Sequence, residues 1–349
     1  MAVQVPHSRP WLEVTDHSAM TRVLRSGMIA HGADVEAFEQ AVAELLGASG
    51  GIACTSGTSA LVLAFRTLGI GDGDEVVLPT YVCWNVLAAV TACGATPRLC
   101  DVDDSGVPTV QTVRAVLSAR TRAIVAVHIF GHPCDVPSLM QLGVPVVEDA
   151  CQALGLDVQG KPAGTVGALG ILSFHATKCL TTGEGGMLVS SDAALLARAR
   201  GLAHSDGKHN ATGSTAMTNL QAALGLAQLQ RYPTFLARRR KLFQAYDAAA
   251  RHLSMATPGY PGVPSFLFRY TLRSRQPFDA VQPALLKLGV QARRGVDELL
   301  HRRLRLDDSN FPGAAAMIAH TVSLPFYPSL TGAESAQVLR AMQEVFAGS

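Results

Sequence analysis

Three short segments of this chain carry side chains whose types and spacing suit chemistry. The first is Ser56-Gly57-Thr58, a run of small residues between an apolar stretch and a helical pattern. A strand that runs into such a turn leaves backbone N–H groups free at the positive end of the helix. A phosphate fits there, and the hydroxyls of Ser56 and Thr58 can add bonds. The plain alternative is ordinary N-capping by Ser or Thr. The second segment is Val146-Val147-Glu148-Asp149-Ala150-Cys151-Gln152. A carboxylate at the end of a buried strand is costly without a cationic partner. A pyridinium nitrogen is one such partner, and the carboxylate would keep it protonated and its ring an electron sink. An Arg elsewhere in the chain is the other. Gln152 stands close enough to Asp149 to touch the same ligand. The third segment is Ser173-Phe174-His175-Ala176-Thr177-Lys178, followed by Gly183-Glu184-Gly185-Gly186. A Lys in an apolar, glycine-rich setting has its pKa lowered by desolvation, which frees the amine as a nucleophile. The glycines would let backbone approach a flat cofactor. The alternative is a surface Lys in a glycine-rich hairpin.

The elements around these segments follow from hydrophobic periodicity. Apolar residues recur at helical spacing from Val35 to Leu46, and Gly47 stops the pattern. Strands are expected at Gly51–Thr55, Glu75–Pro79, Pro97–Val102, Ala123–His128 and Val144–Glu148. Helices are expected between them at Ala60–Leu68, Asn85–Ala92 and Val110–Ala119. Parallel strands need crossovers, so this alternation predicts an α/β fold with a parallel sheet covered on both faces. The strands read as continuous apolar runs, as buried parallel strands do. Past Leu188 the alternation weakens. Helices are expected at Leu195–Leu202, Leu220–Leu229 and from about Phe235 to Leu253, with strands at Phe266–Arg273 and Val322–Pro325. The division expected is a large α/β domain over residues 1–234 and a smaller α+β domain over 235–349. All three chemical segments then sit at strand ends, where open parallel sheets bind ligands.

Composition bounds the function. The chain has 349 residues, of which 48% are hydrophobic and 16% charged, so a sizeable core is available. Its formal net charge is +2, and the one basic run, Arg238 to Lys241, lies in a helical pattern and reads as a solvated face. No nucleic-acid partner is expected. The first ten residues hold no apolar stretch of signal-peptide length, and no apolar window is long enough to span a bilayer. The expectation is a cytoplasmic enzyme without membrane contact. The seven cysteines show no CxxC spacing and lie among apolar neighbours, which suits buried free thiols and not zinc.

In this order and at these separations, the three segments resemble the DegT/DnrJ/StrS family of sugar aminotransferases, a branch of the aspartate-aminotransferase-like (fold type I) pyridoxal phosphate enzymes. The likeness extends to Gly32–Glu39, to LGIGDGDEVVLP from Leu68, to GATPRLCDVD from Gly94, to VHIFGHP from Val127 and to VSLPFYPSL from Val322, and so spans nearly the whole chain. It implies that Lys178 forms the Schiff base with pyridoxal 5′-phosphate and that Asp149 pairs with the pyridine nitrogen. Gln152 would sit near the ring hydroxyl. Ser173 would hold the phosphate from the strand before the Lys, and Gly57 and Thr58, beside Ser56, from the helix start. His175 and Glu184 fall where the family lines its active site, toward the substrate.

The chain departs from the family pattern in places. The ring-covering aromatic of the family falls near Cys83, and here Tyr81 and Trp84 flank that position, so both are candidates. Ser214 replaces an Asn that reaches the neighbouring subunit's phosphate, and Asn219 replaces an acidic residue before Gln-Ala-Ala. Asn219 or Asn210 could take over the bond. The stretch Met255 to Phe268 lacks the family's His. The resemblance implies a homodimer with active sites at the interface, an amino-acid donor (L-glutamate) and a keto-sugar acceptor, nucleotide-linked, in amino-sugar biosynthesis. Lys178 would act as general base and acid. A cyclitol or another keto compound is an alternative acceptor. A sugar dehydratase of this family carries His in place of the Lys, so Lys178 argues against it. A regulatory protein on the same fold would have lost Lys178 or Asp149. A nicotinamide dehydrogenase is opposed by the absence of GxGxxG after the first strand.

Overall fold

The computed structural model describes residues 4–203, 215–256 and 268–347. Its strands are β1 (Gly50–Cys54), β2 (Glu75–Pro79), β3 (Thr96–Cys100), β4 (Thr121–Val127), β5 (Val146–Asp149), β6 (Asp157–Val158), β7 (Lys161–Pro162), β8 (Leu169–Ser173), β9 (Gly186–Ser190), β10 (Tyr270–Arg273), β11 (Arg293–Arg294) and β12 (Thr321–Leu324). Seven of them form one sheet in the order β1-β9-β8-β5-β4-β2-β3. Six run in one direction, and β9 alone runs against both of its neighbours. The fold is the expected α/β class with a mostly parallel sheet. Within this sheet, β8 and the antiparallel β9 are the strands that periodicity did not single out. β9 lies between β1 and β8, and thereby brings Gly186 against the turn after β1.

Both faces of this sheet are buried, which explains the unbroken apolar runs. Successive residues of a strand point to opposite faces. In β1, Ile52 and Cys54 enter one core while Ala53 enters the other, and β9 divides Leu188 from Met187 and Val189 in the same way. The first core holds the helix Gly57–Thr67, and the second holds the helix Ala33–Leu46 and the start of the helix Asn219–His252. A third core lies between β10, β12 and the helices Phe278–Lys287 and Gly332–Phe346, where β10-β12-β11 make a separate antiparallel sheet.

Two expected helices, Leu220–Leu229 and the stretch from Phe235, are one helix from Asn219 to His252 that runs through Pro233. Proline deletes one helical hydrogen bond. Tertiary packing holds the helix together around it: Tyr232 donates to the Leu154 carbonyl at 2.6 Å, and Phe235 is buried. The expected division at residue 234/235 falls inside this helix. The helix expected over Val110–Ala119 ends at Arg114. Beyond it, Ser118 and Thr121 close a turn through the Ser118 N–H bond to Thr121 Oγ1 at 3.0 Å. Side-chain bonds of this kind compete with helix propagation. Of the strand expected over Phe266–Arg273, only Tyr270–Arg273 is a strand, and residues up to Leu267 lie outside those described. Among the described residues no helix is long and apolar enough to cross a membrane, and no cluster of His, Cys, Asp or Glu could hold a metal ion.

Candidate active site

The C-terminal ends of β1, β5 and β8 converge on a cavity of about 370 Å³. Ser56, Gly57, Thr58, Asp149, Gln152, Ser173, His175, Lys178, Glu184 and Trp84 all line it. In sequence these residues lie in segments spread over more than a hundred positions, and the fold brings them to one cavity.

The phosphate-suited turn follows from the local sequence. Ser56 is extended and caps the helix Gly57–Thr67, its hydroxyl accepting from Ser59 N at 3.0 Å. Gly57 sits where a Cβ would meet Cys151 Sγ at 3.1 Å and Ser173 Cβ at 3.3 Å, so the helix start lies directly against the ends of β5 and β8. Gly186 is more constrained still. A Cβ there would stand 2.4 Å from the Ser56 carbonyl carbon and 2.5 Å from Gly57 N. Only glycine lets β9 pass this close to the turn.

Asp149 ends β5 almost fully buried, and one carboxylate oxygen accepts from Cys151 N at 3.0 Å. The alternative of an arginine partner does not occur among the described residues, where Asp149 makes no ion pair. Its neighbour Glu148 points to the other side of the strand and is wholly buried. It accepts from Gly164 N at 3.0 Å, Val166 N at 2.7 Å and Gly167 N at 2.6 Å, and its Oε2 lies 3.0 Å from His128 Nε2. Burial pushes the Glu148 carboxyl up, but the bonds from His128 and the backbone amides outweigh it and hold it below the usual range. This hub ties β5 to the loop that leads into β8 and so sets Asp149 and Ser173 relative to one another. Gln152 turns back and accepts from Phe130 N at 2.7 Å.

Lys178 follows β8 on a turn closed by its own N–H to the His175 carbonyl at 2.9 Å. Burial lowers the pKa of its amine, with Cys151 and Asp149 opposing and Arg269 assisting. Nζ lies 4.4 Å from the centre of the Phe268 ring. His175 takes the Thr177 hydroxyl at 2.9 Å on Nδ1 and faces Glu184 at 3.5 Å on Nε2, so these two form a half-exposed pair at the cavity.

Of the two flanking aromatics, Trp84 lines the cavity, half exposed at the start of the helix Trp84–Ala92, with the Arg303 guanidinium 5.3 Å from its ring. Tyr81 does not line it. It is fully buried, packed edge-on against Phe130 at 6.2 Å and close under Gly295, where a Cβ would stand 2.0 Å from its hydroxyl. Ser214 and Asn210 lie outside the described residues. Asn219 is committed within its own chain: Oδ1 accepts from Val35 N, Nδ2 donates to Met28 O at 2.9 Å, and its backbone N–H donates to Ala30 O. That makes it a brace for the turn before the helix Ala33–Leu46, and it does not line the cavity.

The sequence pointed to one wall of the cavity and missed the other, which residues 268–298 supply: Phe268, Arg269, Arg293, Gly295, Val296, Asp297 and Glu298. Their only sequence signal was the absence of the family's His in the stretch ending at Phe268. Arg269 donates through Nη1 to the carbonyls of Arg294 at 3.2 Å and Gly295 at 2.7 Å, its guanidinium 5.2 Å from the Phe268 ring centre.

A buried Lys with a depressed pKa, an unpaired buried carboxylate and a glycine-cleared helix start fit one group, pyridoxal 5′-phosphate. Its aldehyde would meet Lys178, its pyridine nitrogen Asp149, and its phosphate the Ser56–Thr58 turn and Ser173.

Comparison with known proteins agrees. The model of the DegT/DnrJ/EryC1/StrS aminotransferase family matches residues 11–343. The chain is similar to the aminotransferase TlmJ from Streptoalloteichus hindustanus, with 31% identity over 99% of each chain and a TM-score of 0.90. DesI, whose structure was solved in the presence of its TDP-sugar product, is 26% identical over 99% of this chain and 93% of its own, with a TM-score of 0.87. The PLP-form of Spr1654 from Streptococcus pneumoniae, a sugar aminotransferase by its description, shares the fold with a TM-score of 0.91 at 24% identity over 99% of each chain.

Proposed function

The chain belongs to the DegT/DnrJ/EryC1/StrS aminotransferase family and is a pyridoxal phosphate-dependent aminotransferase of fold type I, and from that premise we propose how its residues divide the work and what they work on. The observation that carries the reading is that Lys178, Asp149, Ser173 and the Ser56–Thr58 turn all line one cavity. When bound, the cofactor supplies an electron sink for cleaving a bond at the donor's Cα. Lys178 Nζ holds it. As a free amine, Lys178 Nζ would take the proton from the donor's Cα and return one to the product carbon. Its lowered pKa suits this duty, since more of the amine is neutral near neutral pH. Asp149 would keep the pyridine nitrogen charged, Gln152 would stand beside the ring, and Ser56, Gly57, Thr58 and Ser173 would hold the phosphate. Trp84, not Tyr81, is placed to cover the ring. His175 and Glu184 face the substrates.

The donor is an amino acid, L-glutamate by family likeness. The acceptor is a keto-sugar, nucleotide-linked as the TDP-sugar of DesI is. The protein works in the cytoplasm, where its seven free thiols stay reduced. It works as a homodimer. Support comes from Leu24, Met28 and Ile29, large apolar side chains left exposed at the turn that Asn219 braces. Two tests apply. Borohydride reduction of the yellow holoenzyme should fix the cofactor to the peptide carrying Lys178, and a label on another Lys, or on none, would refute the site. Light scattering at micromolar concentration should give about twice the chain mass, and a fully active monomer would refute the dimer.

A further inference from the structure

A short helix, Leu300–Arg303, follows closely on the cavity residues Gly295 to Glu298 and carries a histidine with no part in the chemistry above. His301 is wholly buried and does not line the cavity. Its ring stacks on Phe311, 4.4 Å between centres and 12° between planes. Nε2 lies 2.9 Å from Asp308 Oδ1, and Arg302 binds the same carboxylate through Nε at 2.9 Å and Nη2 at 2.7 Å. Bonds from Arg302 and His301 hold the Asp308 carboxyl well below the usual range, so it accepts and Nε2 carries the donated proton. Nδ1 lies 2.8 Å from Thr80 Oγ1, which also accepts the His301 backbone N–H at 3.0 Å. The Thr80 carbonyl accepts from Leu300 N at 3.1 Å, and the Thr80 N–H donates to the Cys100 carbonyl at 3.0 Å. The helix is therefore fastened to the residue that follows β2, and the end of β3 holds that residue in turn.

We infer that His301 is a positioning residue, whose bond to Thr80 sets Trp84 and Glu298 at the cavity. The inference rests on the aminotransferase reading above and adds to it the device that shapes the substrate side. Both cavity residues stand within a turn or so of the latch, Trp84 just after Thr80 and Glu298 just before His301. Arg303 joins them at the far side, with Nη1 2.9 Å from Glu298 Oε2 and its guanidinium 5.3 Å from the centre of the Trp84 ring. Chain and contacts close a circuit that runs from Thr80 through Trp84, Arg303 and His301 back to Thr80. Its outer links are weak. Arg303, Glu298 and Trp84 are each about half exposed, where ion pairs and cation–π contacts contribute little and long side chains stay free to turn. The inner link is of another kind. It lies out of water, every nitrogen of the His301 ring is bonded, and Phe311 fixes the tilt of that ring. The outer contacts select one placement of Trp84 only while the inner link holds the two segments in register.

The test uses the cofactor-loaded protein in a Trp11→Phe background, which leaves Trp84 as the remaining tryptophan of the chain's two. The readouts are the fluorescence anisotropy of Trp84 and the donor half-reaction with L-glutamate, taken as a half-saturating concentration and a limiting rate. Thr80→Val keeps the shape and removes the hydroxyl, and Thr80→Ser keeps the hydroxyl. His301→Asn places a polar atom where Nδ1 stands, while His301→Gln reaches only toward Asp308. Thr80→Val and His301→Gln should lower the anisotropy by about a third and raise the half-saturating concentration by about tenfold, with the limiting rate within about twofold because Lys178 and Asp149 lie on the other wall. Thr80→Ser and His301→Asn should stay close to the parent on both readouts. If the His301 variants do not fold, the Thr80 pair carries the comparison. Unchanged anisotropy and L-glutamate saturation in Thr80→Val would overturn the inference, even if the variant were less stable to denaturant, and would leave the latch a brace for folding alone. Equal effects in Thr80→Ser and Thr80→Val would overturn it too, and so would a collapse of the limiting rate with loss of the Lys178 label. That label is measured first in the parent. Its absence there would sink the aminotransferase reading, while the anisotropy, which needs no reaction, would still decide the latch.

Discussion

The two walls of the cavity are built in opposite ways. The wall made by the ends of β1, β5 and β8 is bonded within itself, save that the Asp149 carboxylate has no ion pair among the described residues. Ser56 caps its helix, Asp149 accepts from the next turn, Gln152 accepts from Phe130, and Gly186 lets β9 lie against the Ser56 carbonyl. The wall made by residues 268–298 leaves Arg269 Nε unmet and Arg293 without an ion-pair partner among the described residues. A self-satisfied wall is preorganised and suits a group that stays, while a wall with unmet donors suits a molecule that comes and goes. The proposed function accordingly has the resident cofactor on one side and the changing substrates on the other.

The largest expected effect comes from the preorganised side. Asp149→Asn nearly preserves shape and keeps an oxygen for Cys151 N, so the fold and most of the bound cofactor should survive. What is lost is the negative charge that holds the pyridine nitrogen protonated. Transamination should fall by about 10³-fold, roughly 4 kcal/mol of transition-state stabilisation, measured as the rate of a single donor half-reaction. Near-normal turnover would show that Asp149 only caps its turn, and the contrast between the walls would lose its chemical basis.

The same contrast explains what the sequence made legible. Ser56-Gly57-Thr58 and Asp149 to Gln152 each follow an expected strand, so local periodicity located them, whereas Ser173 to Lys178 stood out by its Lys and the glycines after it, with no strand expected over Leu169–Ser173. Their chemistry is also local, a helix start here and a strand-end carboxylate there. Arg269 and Arg293 carried no such sign. In sequence they are two arginines among many, and their meaning comes from Phe268, Gly295 and Lys178, which meet them only in the folded chain. Tyr81 and Trp84 stand three positions apart, and nothing in their spacing says that Tyr81 turns into the core beneath Gly295 while Trp84 faces the cavity. The antiparallel β9 was hidden for a related reason. Gly186 to Ser190 is a buried apolar run like those of the parallel strands, and strand direction leaves no mark on such a run.

A smaller effect probes how tightly the first wall is packed. Gly186→Ala places a methyl 2.4 Å from backbone atoms of Ser56, and backbone cannot rotate away as a side chain can. Overpacking of this kind costs about 1–3 kcal/mol, and the strain should be relieved by moving the helix start away from Ser173. Chemical denaturation should report that loss, and cofactor affinity should fall by about tenfold. The affinity of the loaded variant for L-glutamate should hardly change, since residues 268–298 form the other wall. An Ala variant as stable as the wild type, with full cofactor affinity, would mean that the close approach of β9 does not set the turn.

The smallest effect sharpens the comparison most. Ser56 Oγ accepts from Ser59 N at 3.0 Å and shares a second contact with Ser59 Oγ at 2.9 Å. Ser56→Ala removes an N-cap and should cost about 1 kcal/mol of stability. If Ser56 were only a cap, the loss would appear in denaturation and nowhere else. Because Ser56 also lines the cavity, cofactor dissociation should quicken by a few-fold, with the Lys178 label unaltered. The decisive measurement is a double-mutant cycle with Arg269→Gln. The two residues lie on separate walls and share no bonded partner, so their effects on L-glutamate affinity should add to within about 0.5 kcal/mol. Strong coupling would mean that the walls move together, and that the arginine side is held in place by the cofactor side.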